Sequence, residues 1–289
     1  MSFVTRIAPT PSGYLHRGNA YNFLLVWLLA RTHSGKIVLR IDDLDKGRYR
    51  PRFLESIFFD LDWMGIDWDV GPSSMKDAHT FGQYGRMESY KDSLAQVRSN
   101  PLIFGCTCTR KIIRRASPNG QYPGTCRHRE VSEDNIWRIW TKGEWAVLNS
   151  EKKFLENSSV VLRNRKGIPS YMFACVVDDW IHEVDVIVRG EDLYEASVTQ
   201  SYLRRILGIQ KEPIHIHHPL LLDENGRKLS KSTKSVSLSA LREDGMTKSL
   251  LYQGFAQWRG WKSIPTDTSS LLDIFQHEDA LGVSFSVHD

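Results

Sequence analysis

Long hydrophobic runs are missing from this sequence. The longest apolar stretch, Leu24 to Ala30 (LLVWLLA), falls far short of the ~20 residues a helix needs to cross a bilayer. It reads as a buried helix face, and no membrane partner is expected. The opening MSFVTRIAPTPSG lacks the apolar core and cleavage site of a secretory signal, so a cytoplasmic location is expected. Internal repeats and low-complexity tracts are absent as well. Cysteine is scarce: four in 289 residues, with no secretory leader, which argues against a disulfide framework. Charge of one sign is scarce too. The 38 Lys and Arg against 34 Asp and Glu leave +4, compatible with a polyanionic partner but insufficient to identify one. The remaining composition, 41% hydrophobic and 25% charged, is that of a folded globular protein with one large domain or two modest ones.

What is present begins as strand, loop, helix, strand, helix. Val4 to Ala8 is a short apolar run stopped by Pro9 and Pro11. Gly13 to Asn19 is a loop, and Ala20 to Thr32 carries helical apolar spacing up to Ser34-Gly35. Lys36 to Ile41 (KIVLRI) is a second strand. Pro51 to Met64 is a helix with proline in its first turn. This order predicts an α/β fold with a parallel sheet. Residues 99–168 break the pattern with short segments rich in Arg, Lys, Cys, Gly and Pro, as expected of an insertion with its own small fold. Helix and strand return at Ser170 to His182 and Val184 to Val188. A strand follows at His215 to Leu222, then interrupted helix over Val236 to Trp258 and a short amphipathic piece before Asp289.

Two segments carry candidate chemistry. Thr10-Pro-Ser-Gly-Tyr-Leu-His-Arg-Gly-Asn19 joins the first strand to the first helix, where parallel sheets bind ligands. A helix start there offers free N–H groups to phosphate. Gly18 permits close approach, and His16 can donate to a phosphoryl oxygen. Taken alone, the same residues also make an ordinary turn. Gly226-Arg-Lys-Leu-Ser-Lys-Ser-Thr233 sets Lys228 and Lys231 among small residues, where Lys231 can neutralise charge on a transferring phosphoryl group. Alone, it too is an ordinary basic loop. The cysteines form a third group. Cys106-Thr-Cys108 and Cys126 supply three corners of a tetrahedral zinc site, with His128 a generic candidate for the fourth. Three unliganded thiols are the plainer alternative. Cys175, in the apolar Tyr171-Met-Phe-Ala-Cys-Val-Val177, reads as a small buried hydrophobe.

Taken together, His16-Arg-Gly-Asn19 and Lys228-Leu-Ser-Lys-Ser232 resemble the two signatures of class I aminoacyl-tRNA synthetases. Thr5 to Gly13, Leu39-Arg-Ile-Asp-Asp-Leu-Asp45, Val176-Val-Asp-Asp179 and Val188-Arg-Gly-Glu-Asp192 are similar to the glutamyl-tRNA synthetase branch, in order, over roughly residues 3–235. Cys-x-Cys…Tyr-x-x-x-Cys resembles the zinc site of the glutamyl-queuosine tRNA(Asp) synthetases, which implies Tyr122 rather than His128 as fourth ligand. The short stretch after Lys231 leaves room for a helical segment but not for an anticodon-binding domain. In this, too, the chain resembles that truncated group.

The resemblance implies a class I synthetase, Rossmann-like parallel sheet in two halves, residues 1–98 and 169–235. Between them it implies an inserted zinc-containing α+β subdomain at 99–168, and after them a short helical segment at 236–289. It implies ATP-dependent activation of L-glutamate, with Mg²⁺ accompanying ATP and one structural Zn²⁺ per chain. Transfer would follow to the queuosine base at the wobble position of tRNA(Asp). His16, Asn19 and Lys231 are the implied catalytic residues. Glutamate would meet Arg6, Ala8, Thr10, Asp42, Tyr171 and Arg189. ATP would meet His16, Gly18, Asn19, Asp192, Lys228 and Lys231, and the zinc Cys106, Cys108, Tyr122 and Cys126. A monomer is expected. Without the resemblance, Arg6 and Arg189 read as ion-pair partners of Asp42, Asp43 or Asp45.

Three positions depart from the family pattern. Asp42 stands where the family has glutamate, one methylene shorter for the substrate ammonium, and Asp43 is the other carboxylate within reach. Arg17 and Asn19 also differ from the usual choices. A truncated paralogue charging another acceptor and a non-catalytic RNA-binding module are the rival readings. Arg110 to Arg115 and Arg127-His-Arg129 flank the cysteines as candidate RNA contacts. Trp137, Trp140 and Trp145 are candidates for base stacking or, more simply, for packing. His215, His217 and His218 read as structural or nucleotide-adjacent.

Overall fold

A computed structural model of the chain describes residues 3–132, 134–221 and 236–278. The chain divides into two compact units. The first comprises residues 1–82, 186–191 and 218–289, and the second residues 83–185 and 192–217.

The first unit opens with β1 (Val4–Ile7), α1 (Arg17–Thr32) and β2 (Lys36–Leu39), and β1 pairs with β2 in parallel, Arg6 opposite Val38. Strand β8 (Val186–Gly190) lies alongside β1, and α1 covers β1, β2 and β8. All seven residues of the Leu24 to Ala30 run are buried, so α1 is enclosed on every side rather than on one face. The extra cover comes from α9 (Lys248–Arg259) and α10 (Thr268–Glu278). Tyr21 meets Phe255 edge-on at 5.5 Å, and Trp261 links Phe255 to Phe275. Helix α2 (Pro51–Trp63) begins at its proline as expected and packs against α8 (Leu238–Glu243). There the buried Asp60 accepts a hydrogen bond from Arg242.

The first helix starts three residues earlier than its apolar spacing predicts, because its polar first turn is fixed by a cap and not by burial. The strand predicted over His215 to Leu222 is shorter: β9 covers Ile214–His218, and Pro219 follows it. The interruption between α8 and α9 is supplied by Gly245, at φ +91°, and the N-cap Thr247.

The second unit holds a short helix α3's sequel: after α3 (Ala78–Phe81), which closes the first unit's opening segment, come a 3₁₀ turn (Gln83–Arg86) and α4 (Met87–Val97). Then follow β3 (Ile103–Cys106), α5 (Arg110–Ala116), β4 (Ile136–Trp140), β5 (Trp145–Leu148), β6 (Glu151–Phe154) and β7 (Ser159–Arg163). These strands form two small antiparallel sheets, β3-β4-β7 and β5-β6. Helices α6 (Tyr171–Ile181) and α7 (Tyr194–Ile206) pack on each other, and α7 covers β5. Asp178 on α6, fully buried, accepts hydrogen bonds from Gln83, Arg86 and Tyr90, each at 2.7 Å, and so pins α4's start to α6.

Candidate functional site

The β1–α1 turn is built around a reciprocal cap. His16, in extended conformation before α1, accepts a hydrogen bond at Nδ1 from the Gly18 amide at 3.1 Å. Asn19 reaches back through Oδ1 to accept the His16 amide, also at 3.1 Å. Two of the helix's otherwise unpaired N–H groups are thereby satisfied by the motif's own side chains. Because Nδ1 accepts, the neutral ring carries its proton on Nε2, which makes that nitrogen a donor. Gly18 leaves room for the His16 ring. A Cβ there would sit 3.0 Å from His16 Cε1 and 3.1 Å from Nδ1.

The chain returns to this turn from the far end of the sequence. Ser237 forms an isolated antiparallel bridge with His16, and the Leu238 amide donates to the Leu15 carbonyl at 2.8 Å. Lys228 and Lys231 lie outside the described residues. The described chain resumes at Val236, and Ser237 lies beside His16.

Arg6 on β1 and Arg189 on β8 are both buried, at 9% and 7% exposure, on neighbouring strands. Neither arginine is a surface residue. Ala8 and Thr10 continue from β1 as half-buried residues of the loop, and the Asp42 amide donates to the Pro9 carbonyl at 3.0 Å. Asp42 itself is buried and held by Arg40, which donates through Nε to Oδ1 at 2.7 Å and through Nη2 to Oδ2 at 3.3 Å. Arg40 and Asp42 are two apart in extended chain, so their side chains share a face. Asp43 is also buried, whereas Asp45 is exposed and pairs with Arg48.

Tyr171 and Asp192 belong to the second unit. Tyr171 is the first residue of α6, after the N-cap Ser170, and is 54% exposed. Asp192 is exposed in a 3₁₀ turn (Glu191–Leu193).

The same unit gathers the three cysteines. The Sγ atoms of Cys106, Cys108 and Cys126 are buried and lie within 4.8 Å of one another. Cys108 and Cys126 are 3.6 Å apart, and Tyr122 Oη is 3.5 Å from Cys106 Sγ. Tetrahedral Zn–S bonds of about 2.3 Å place thiolates about 3.8 Å apart, so this donor set fits that ion with little rearrangement. Burial raises the Cys126 thiol, but the Thr107 backbone, Tyr122, Cys108 and the Thr107 side chain outweigh it and bring the group down to about 6. Burial and the neighbouring sulfurs push Cys108 up to about 11, and burial chiefly raises Tyr122. The Cys126 thiolate is therefore stabilised in advance. His128 is exposed on the surface.

The model of the class I (E and Q) tRNA synthetase catalytic domain matches residues 2–144 and 147–281. The chain belongs to that family. It is a class I aminoacyl-tRNA synthetase, a ligase. A relative in Nitratidesulfovibrio vulgaris named glutamyl-Q tRNA(Asp) synthetase is 35% identical over 264 residues, covering 83% of this chain and 81% of its own. One of the same name in Deinococcus radiodurans is 33% identical, covering 93% and 94%. Among solved structures, the glutamate-tRNA synthetase of Elizabethkingia anophelis aligns with a TM-score of 0.76 at 21% identity, over 94% of this chain and 65% of that one. The match fixes the fold, and the chain spans just under two thirds of that longer protein.

Within this class I synthetase, α1 packs on β1 and β8, the strands that carry Arg6 and Arg189. Arg40 and Asp178 have no assigned role in the sequence reading, although both stand in segments that carry the resemblance. The partners of Asp178 are about ninety positions away, beyond any local pattern. The three histidines have partners within the fold. His217 shares a hydrogen bond with Ser197 at 2.8 Å, and His218 one with Asn22 at 3.0 Å. His215 is buried, its backbone amide bonded to Asn149. Each of the three tryptophans carries a cation on its face: Arg163 over Trp137, Arg127 over Trp140, and both Lys152 and Arg205 over Trp145. Cys175 is buried in α6.

Proposed function

We propose that this enzyme activates L-glutamate with ATP and transfers it to the queuosine base of tRNA(Asp). The observation that carries the reading is the capped turn at His16, beside the neighbouring strands holding Arg6 and Arg189, in a chain whose relatives bear the name glutamyl-Q tRNA(Asp) synthetase. ATP phosphates sit at the α1 start, where Gly18 and Asn19 line the approach, and His16 Nε2–H donates to a phosphoryl oxygen. The glutamate carboxylate attacks the α-phosphorus and pyrophosphate leaves. Lys228 and Lys231 bear the charge that develops, and Asp192 reaches the nucleotide. Little proton transfer is needed, so alignment and charge neutralisation supply most of the rate. A queuosine hydroxyl then takes the acyl group and AMP leaves.

Arg6 and Arg189 offer fork-shaped donors to the carboxylates of glutamate, with Ala8, Thr10 and Tyr171 completing the pocket. Asp42, which also holds Arg40, receives the substrate ammonium, and Asp43 stands next to it. Mg²⁺ accompanies ATP. Zn²⁺ occupies Cys106, Cys108, Cys126 and Tyr122 as a structural ion. In this reading residues 1–98 and 169–235 are the catalytic halves, 99–168 the zinc-bearing insertion and 236–289 a helical close. The enzyme works as a cytoplasmic monomer.

The test has two stages. ATP–pyrophosphate exchange should depend on glutamate without RNA and be nearly lost in Lys231→Ala. Labelled glutamate should then pass to queuosine-containing tRNA(Asp) and not to the queuosine-free form; equal charging of both rejects the acceptor.

A further inference from the structure

The stretch that bears Lys228 and Lys231 is flanked by two anchors, and both hold it to the turn and helix of the first signature. Downstream, Ser237 bridges His16 and the Leu238 amide donates to the Leu15 carbonyl. Upstream, the chain leaves β9 at His218, which is buried. His218 Nδ1 lies 2.8 Å from the carbonyl oxygen of the next residue, Pro219, and Nε2 lies 3.0 Å from Asn22 Oδ1 on α1. A carbonyl only accepts, so Nδ1 carries a proton and donates it to Pro219. The Asn22 side chain can accept or donate, so it pairs with Nε2 whether the ring is charged or neutral. Trp258 on α9 fixes the plane of the ring. It meets His218 edge-on at 5.2 Å and lies 5.5 Å from Tyr21, the residue before Asn22. The Leu220 amide then donates to Glu191, just past β8, at 3.4 Å.

We propose that His218, through Asn22, is a positioning residue for ATP: it sets where the chain leaves β9 relative to the start of α1, and so where Lys228 and Lys231 can meet the phosphates. The bond joins residues 196 positions apart in sequence. Asn22 is three residues beyond Asn19 and on the same side of α1, so the tether sits one turn from the capping pair. One imidazole thereby holds both the backbone that leads to the lysines and the helix that begins at the phosphate turn. A displacement of about 1 Å in such a support can cost about a hundredfold in rate. A buried polar ring is unfavourable unless its nitrogens are bonded, and here each is bonded to a different one of the two parts. The inference rests on the proposal that Lys228 and Lys231 hold the ATP phosphates.

The test is equilibrium binding of labelled ATP and, separately, labelled AMP, which lacks the β- and γ-phosphates. Asn22→Ala carries it, because Asn22 is half-buried on a helix and alanine is a strong helix former. His218→Ala and the double variant complete a cycle. Each single variant should weaken ATP by about fivefold or more, the loss expected of one buried hydrogen bond and the placement it fixes, and should leave AMP within about twofold of the parent. The double variant should be no more than about twofold worse than His218→Ala alone, since the two residues act as one tether. Parental ATP affinity in Asn22→Ala overturns the proposal. So do equal losses of ATP and AMP, which mark a general loosening of the fold, and so do effects of the two substitutions that simply multiply. Lys228→Ala/Lys231→Ala is the control. If it loses ATP while Asn22→Ala does not, the lysines keep their role and His218 loses its own; if it keeps parental ATP affinity, both fall. A parent that shows no glutamate-dependent exchange, with the ATP-selective losses intact, would reject the proposed amino acid and leave this inference standing.

Discussion

His16 and Asn19 hold each other in place: the backbone amide of one is bound by the side chain of the other, and the His16 ring is drawn over the Gly18 amide. The signature at the start of α1 is thus also a capping box. One set of atoms both begins the helix and orients the imidazole, and the two roles are separable by mutation.

Gly18→Ala is expected to separate them. Alanine is the better helix former by up to about 1 kcal/mol, so thermal stability should hold or rise. Its Cβ, at 3.0 Å from His16 Cε1, must move the ring. Glutamate-dependent exchange should drop by about tenfold or more, within the range for a misplaced phosphate donor. A variant with parental exchange rates would show that the ring's position is unimportant.

The Arg40–Asp42 pair is buried on both sides. Asp42→Ala should cost about 3–5 kcal/mol in urea unfolding, because it removes a carboxylate that is hydrogen-bonded to a guanidinium in the interior. Arg40→Met with Asp42→Leu removes both charges and should be less destabilised than Asp42→Ala alone. A double variant that is worse than the single would mean that the pair contributes net stability through its mutual attraction.

Metal analysis of the purified protein should find about one zinc per chain, and Cys106→Ser should abolish it. Tyr122→Phe keeps the ring that stacks on Phe104 at 5.8 Å and lies under Arg138, but removes the oxygen. It should hold zinc more weakly, read as faster loss to a chelator, without unfolding. Equal loss rates in Tyr122→Phe and the parent would assign the fourth position elsewhere.

Glu212 should make stability fall as pH rises. Burial pushes its carboxyl up to about 7, partly offset by Ser201 and Arg204; Arg204 Nε lies 3.8 Å away and His215 Nε2 3.7 Å. The folded pKa exceeds the unfolded value of 4.5, so the folded state binds the extra proton. The associated stability is complete below about pH 4.5 and is lost as pH rises through about 7. The slope from this one group is at most about 1.4 kcal/mol per pH unit. Urea unfolding between these limits should follow it, and Glu212→Gln should flatten the curve; parallel profiles for the two proteins would assign the dependence to other groups.

The sequence by itself determined whatever is encoded between near neighbours. The Val4–Ile7 strand, the Lys36–Leu39 strand and the proline start of α2 follow from local apolar spacing and turn chemistry. The spacing of Cys106, Cys108 and Cys126 already marked a candidate metal-binding set, and the fold brings their sulfurs together. Only the tertiary structure decided that α1 is enclosed on all sides, that Arg40 holds Asp42, and that Asp178 gathers Gln83, Arg86 and Tyr90. It alone brought Arg138 to the arginines of α5. The reason is physical. Periodicity and capping act over one or two turns of chain. A buried charge instead takes whichever partner packing delivers, and that choice is made across ninety residues of chain as readily as across two.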